Sequence, residues 1–182
     1  TQAYEYAKTR QASFFLLTLY HSLIAANQVE NFRMRIQGEQ VCVYQLIHCG
    51  STVLQEDQTF SFCYFGYTDE WSQFHEEGMA RIKAQQEART FDPKLDHDNM
   101  IHYSVLPWLH FTSFQHARRL GKEDSIPKIV FGKYQVENDR LMMPMSIEVH
   151  HALVDGYHVG QFVDLFQQAL NGLTKDEERV FV

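Results

Sequence analysis

The sequence predicts a mixed α/β layer fold built as one domain, and three observations carry that prediction. Segments with apolar residues at three- and four-residue spacing alternate with segments of period two. The period-two runs are joined by short turns, so hairpins and helices are interleaved along the chain, which a mixed sheet with helices packed on it accommodates. No repeat, low-complexity tract or Pro/Gly-rich linker divides the 182 residues, which are enough for a single core.

The elements follow in order. "YEYAKTRQASFFLLTLYHSLIAANQ" reads as a helix, with Phe15, Leu19, Leu23 and Ala26 on one stripe and Leu16 and Tyr20 widening it. "FRMRIQGEQVCVYQ" reads as a hairpin turning at Gly38, and "STVLQEDQTFSFCYFGY" has strand character. The next helix starts near Thr68 as N-cap, with Asp69 and Glu70 in its first turn. Trp71, Phe74, Met79 and Ile82 form its apolar face. Residues 92–100 are a polar loop. "IHYSVLPWLHFTSF" returns to strand, with Pro107 implying an edge or a bulge. "IVFGKYQVENDRLMMPMSIEVHH" reads as two strands joined at Glu137-Asn138-Asp139. The last helix carries Val159, Phe162, Val163, Phe166 and Leu170 on one stripe and stops at Gly172.

Composition bounds the function. Apolar residues make up 45% and aromatics 14%, so the chain can pack a core. A formal net charge of −7 argues against a nucleic-acid or anionic-membrane surface. The longest apolar run, around "FFLLTLY", is too short for a membrane span, and no signal peptide is visible. Three irregularly spaced cysteines, Cys42, Cys49 and Cys63, form neither a disulfide framework nor a zinc site, so reduced thiols in a cytoplasm are expected.

The chemistry concentrates in "EVHHALVDGYHVGQF", residues 148–162. By strand alternation His150 shares a face with Glu148 and Ser146, whereas His151 shares the apolar face of Ile147 and Val149. An imidazole on a dry face stays neutral, which is what a general base near pH 7 requires. A buried structural histidine is the commoner case. The second imidazole, the Asp155-Gly156 turn and the strand end in one place favour a site. A metal centre on His150, His151 and His158 is disfavoured, because adjacent strand residues point to opposite faces.

"VHHALVDGYHVG" resembles the active-site signature of the chloramphenicol acetyltransferase family, His-His-Ala-X-X-Asp-Gly-Phe/Tyr-His-Val. "PWLHFTSF", "GKYQVENDRLMMPMSIEVHH" and "NFRMRIQGEQV" resemble further blocks of that family, and the likeness runs over nearly all of residues 1 to about 170. The resemblance implies a two-layer mixed sheet with helices, the CoA-dependent acyltransferase fold, in a single domain over residues 1–182. It also implies a homotrimer with sites at its subunit interfaces. The implied reaction passes acetyl from acetyl-CoA to an acceptor hydroxyl in a ternary complex. The resemblance makes His151 the base and Ser113 the hydrogen-bond donor to the developing oxyanion, a contribution of roughly 3 kcal/mol. It makes Asp155 structural, paired with an arginine of the family's N-terminal segment, and it sets Lys133 and Tyr134 beside the CoA adenosine. An acyltransferase core of a 2-oxoacid dehydrogenase complex and a non-catalytic trimeric homologue are the alternative readings.

The sequence departs from the family in places. The family's first strand and helix, which carry the arginine, have no counterpart; an unpaired buried Asp155 would be costly, which favours their lying outside this sequence. Val130 stands where a threonine is usual near the acceptor. "QHARRLGKEDSI", residues 115–126, replaces an aromatic stretch, and Ser13-Phe14-Phe15-Leu16 lacks a lysine that would meet CoA. These changes leave the transfer machinery intact and bear on the acceptor.

Overall fold

The computed structural model describes residues 1–91, 97–117 and 124–173. The N-terminal segment forms two helices, α1 (Gln2–Thr9) and α2 (Phe14–Gln28), where one was expected. Gln11 adopts a left-handed backbone, φ 53°, which ends the first helix. Ser13 then starts the second, its Oγ accepting from Leu16 N at 3.3 Å. The stripe read from the sequence understates α2. Leu16 through Leu23 are all buried, so the helix is enclosed on every side rather than amphipathic.

A short 3-10 turn, Glu30–Arg33, leads into the expected hairpin, β1 (Met34–Gln37) and β2 (Gln40–Val43). Gly38 sits in its turn at φ +61°, a conformation glycine adopts without steric cost. β3 (His48–Leu54) and β4 (Phe60–Phe65) pair antiparallel. α3 (Trp71–Ala88) has Glu70 as its N-cap, two residues later than predicted. Thr68 instead closes the turn before it, its Oγ1 accepting from Glu70 N at 3.0 Å. Phe74 is buried against the core, while Met79 faces solvent, contrary to the predicted stripe.

β5 (Met100–Leu106) is an interior strand. Pro107 lies just beyond it, in a turn closed by Leu109 N donating to Leu106 O, so "WLHFTSF" is not strand. The region read as two strands forms four: β6 (Lys128–Gly132), β7 (Gln135–Glu137), β8 (Arg140–Met142) and β9 (Met145–Glu148). The predicted turn is where expected, with Asn138 and Asp139 at positive φ. The hairpin is interrupted at Lys133-Tyr134 and Met143-Pro144, and a proline cannot donate to a ladder. α4 (Gly156–Asn171) closes the described chain, with Phe162 and Phe166 buried and Gly172 as its C-cap.

The main sheet runs β4-β3-β5-β6-β9. β3, β5 and β6 are parallel, and the edge strands β4 and β9 are antiparallel to their neighbours. Cys49, Ile101, Tyr103, Ile129 and Phe131 share one core with Leu16, Leu19, Leu23, Phe162 and Phe166, which sets the helices on that face. The three parallel strands therefore end together, at Leu54, Leu106 and Gly132.

His21 belongs to this core. Burial lowers its pKa from 6.5 to about 4, and its Nδ1 has no partner among the described residues. The folded state thus binds the proton less readily than the unfolded chain. Stability is intact above pH 6.5 and falls as the pH drops toward 4, by about 3 kcal/mol from this group. Burial lowers the pKa of His48 and His102 too, adding in the same direction. Urea melts at pH 7.5 and 4.5 are expected to differ by visibly less in His21→Leu than in the parent. Equal differences in both proteins would refute the assignment.

Candidate active site

β9 ends at Glu148, opposite Lys128, the last pair of its ladder with β6. The two-residue period on which His151 was set facing a dry surface stops there. His151 is instead the first residue of a turn, and it is exposed in the single chain. The turn is closed by Leu153 N and Val154 N, both donating to His150 O at 2.9 and 3.0 Å. His150 Nδ1 accepts from Ala152 N at 3.3 Å. Asn31, from the turn before β1, donates to Leu153 O at 2.6 Å and fastens the loop to the body of the fold.

His151 Nδ1 lies 3.4 Å from Val154 O. A carbonyl only accepts, so a hydrogen bond here puts the proton on Nδ1 and leaves the Nε2 lone pair open. That tautomer suits a base, and exposure supplies access.

Asp155 is the N-cap of α4, its Oδ1 accepting from Tyr157 N at 2.9 Å, and His158 Nδ1 accepts from Asp155 N in a capping box. Asp155 is exposed rather than buried, because its carboxylate meets the open first turn of the helix.

A cavity of about 960 Å³ lies at the carboxyl ends of β3, β5 and β6, as ligand sites in sheets with parallel strands commonly do. Its walls are mostly apolar, with Phe14 and Phe15 from the start of α2, Ile82 from α3 and Val105 from β5. Lys133 and Tyr134 line it as well. Gly132, which precedes them, is needed for close approach. A Cβ there would stand 2.8 Å from Leu109 O, Phe111 Cε1 and Pro144 Cγ. With glycine, Lys133 N reaches Leu109 O at 2.6 Å and His110 Nδ1 meets Lys133 O at 3.1 Å. Tyr134 packs against Tyr4 and Phe14, ring centroids 5.3 and 6.2 Å apart.

Ser113 is exposed, in the segment that crosses toward β9, where Ser146 Oγ donates to Phe114 O at 2.9 Å. Among the described residues no hydrogen bond joins Ser113 to His151, and neither lines the cavity. Val130 is buried in β6, paired with Ser104 and Ser146. Arg118, Arg119 and Lys122, in the stretch that departs from the family, lie outside the described residues.

A sequence profile described as chloramphenicol acetyltransferase matches residues 1–167. The chain belongs to the chloramphenicol acetyltransferase family. It is 32% identical over 166 residues to chloramphenicol acetyltransferase 3 of Escherichia coli, covering 89% of this chain and 77% of that protein. A solved chloramphenicol acetyltransferase superposes with a TM-score of 0.84 at 31% identity, covering 92% of this chain and 82% of that one. The chain is thus an acyltransferase by family, and its fold is the family's. A probable dihydrolipoamide acetyltransferase from Listeria monocytogenes superposes with a TM-score of 0.67 at 10% identity, covering 97% of this chain and 79% of that one, which is a likeness of fold alone.

Sequence reasoning missed Asn31, whose partner is 122 residues away and leaves no local signal. The resemblance sets Ser13-Phe14-Phe15-Leu16 where the family meets CoA, and Phe14 and Phe15 do stand in the cavity wall.

Proposed function

We propose that this chain is an acetyl-CoA-dependent O-acetyltransferase. It acts in the cytoplasm as a homotrimer of one acyltransferase domain, residues 1–182. Lys133 and Tyr134 hold the CoA end of the co-substrate. His151 Nε2 takes the proton of the acceptor hydroxyl as that oxygen attacks the thioester carbonyl. Ser113 donates to the oxyanion that forms, and Asp155 keeps the histidine loop in place by capping α4.

The observation that carries this reading is the cavity. The two residues that the resemblance associates with CoA stand in the wall of a mostly apolar cavity large enough for a slender thioester arm. Exposure of both His151 and Ser113 on a single chain supports a site completed between subunits. Three cysteines without disulfides, and no helix among the described residues long and apolar enough to cross a membrane, are compatible with the cytoplasm.

Thiol release from acetyl-CoA, measured across a panel of hydroxylated acceptors, tests the proposal. Acceptor-dependent release is expected, with chloramphenicol a poor acceptor through a raised KM, because residues 115–126 carry none of the aromatic rings usual in the family's stretch. Absence of acceptor-dependent release with every hydroxylated compound would sink the reading.

A further inference from the structure

On the sheet face away from the main helical core, three side chains from three distant segments meet in line. Ser104, on β5, has its Oγ 3.5 Å from His116 Nε2. His116 Nδ1 is 2.9 Å from Glu148 Oε1, at the end of β9. The same carboxylate oxygen accepts from His116 N at 2.7 Å, so ring and backbone are held together. The His116 and Glu148 side chains are only 23% and 13% exposed. Ser104 also lines the 960 Å³ cavity, two residues before the end of its strand.

The arrangement fixes the tautomer. An ionised carboxylate only accepts, so Nδ1 carries the proton and the Nε2 lone pair faces the serine hydroxyl. A serine beside a base that is itself oriented by a carboxylate is the arrangement of an activated nucleophile, and such contacts are often long without substrate. Thr52 lines the cavity as well. It lies one strand over, because the β3–β5 register pairs Ser51 with Tyr103 and so sets Thr52 beside Ser104. A hydroxyl is thus present on the same cavity wall as Ser104.

We propose that Ser104, His116 and Glu148 form a second acyl-handling centre that hydrolyses small acyl esters and thioesters through an acyl-serine, independently of His151. Ser104 Oγ bonds to the carbonyl carbon and its proton passes to His116 Nε2. The bond to the leaving oxygen or sulfur breaks, and that atom takes the proton. Water then attacks the acyl-serine, giving its proton to Nε2. The carbonyl–Oγ bond breaks, Oγ recovers the proton and the carboxylic acid leaves. Glu148 acts as a positioning residue.

The test uses p-nitrophenyl acetate with the full chain and no acceptor. The parent protein is expected to release nitrophenol in a burst, and mass mapping should find one acetyl group on Ser104. Ser104→Ala should reduce the burst to the reagent background, and His116→Gln should slow acylation about 100-fold. Glu148→Gln, which keeps size and an acceptor oxygen, should lower kcat with KM for the ester unchanged; a role confined to fastening the loop would not separate the two. Circular dichroism checks that each variant is folded. Hydrolysis that survives Ser104→Ala and falls with His151→Ala overturns the proposal, as does acetyl mapped only to other residues. Because acetyl transfer needs an acceptor and this assay has none, failure here and failure of the acetyltransferase reading are read separately.

Discussion

His151→Ala is expected to lower acetyl transfer by about 1,000-fold, the middle of the range for removing a general base. The protein should stay folded, because His151 is exposed and among the described residues its one polar contact is the 3.4 Å approach of Nδ1 to Val154 O. His150→Ala should be milder for catalysis. That ring accepts from Ala152 N at 3.3 Å and shapes the turn, whereas the backbone of His150 closes it whatever the side chain. Comparison of kcat in the two variants, with melting curves as control, reads the difference. Equal losses in two folded variants would mean that the geometry of the turn, and not the Nε2 lone pair, limits the reaction.

The way the loop is built explains what the sequence could convey about this site. The motif His-His-Ala-Leu-Val-Asp-Gly was legible as a site because its residue types and position after a strand are local facts. Its geometry was not. Alternation assigned His151 to a dry face, but alternation holds only while a strand is paired, and the ladder with β6 ends at Glu148. Asp155 was legible as a turn residue, and the structure makes it a helix cap. What holds the loop, Asn31 on Leu153 O, and what orients His116, Glu148 on its ring, are contacts across 122 and 32 residues that no periodicity encodes. The fold was legible to a similar degree. The hairpins followed from Gly38 and Asn138-Asp139. The break at Gln11 did not, because glutamine gives no signal for a left-handed backbone.

The largest stability effect is expected at Arg35, on β1 between Met34 and Ile36. In the structure it is 0% exposed. Its guanidinium donates to four backbone carbonyls: Nε to Asp98 O at 2.8 Å, Nη1 to Phe32 O and Met34 O at 2.9 and 2.6 Å, and Nη2 to Met100 O at 2.7 Å. Two of these belong to the chain entering β1, two to the chain entering β5, so one side chain stitches the hairpin to the central sheet. Burial lowers its pKa from 12.5 to about 10, and it stays charged near neutrality. Arg35→Met matches the volume of the stem but strands the carbonyls without donors, which costs about 3–5 kcal/mol in a dry site. For a chain of this size that corresponds to a fall in Tm of roughly 10 °C. Arg35→Lys should rescue little, because an ammonium has three donors and lacks the planar fork that spans both segments. Thermal melts of the three proteins decide it. A methionine variant melting within a degree or two of the parent would mean that water or backbone movement satisfies those carbonyls, and that the hairpin is held to the sheet by its apolar contacts alone.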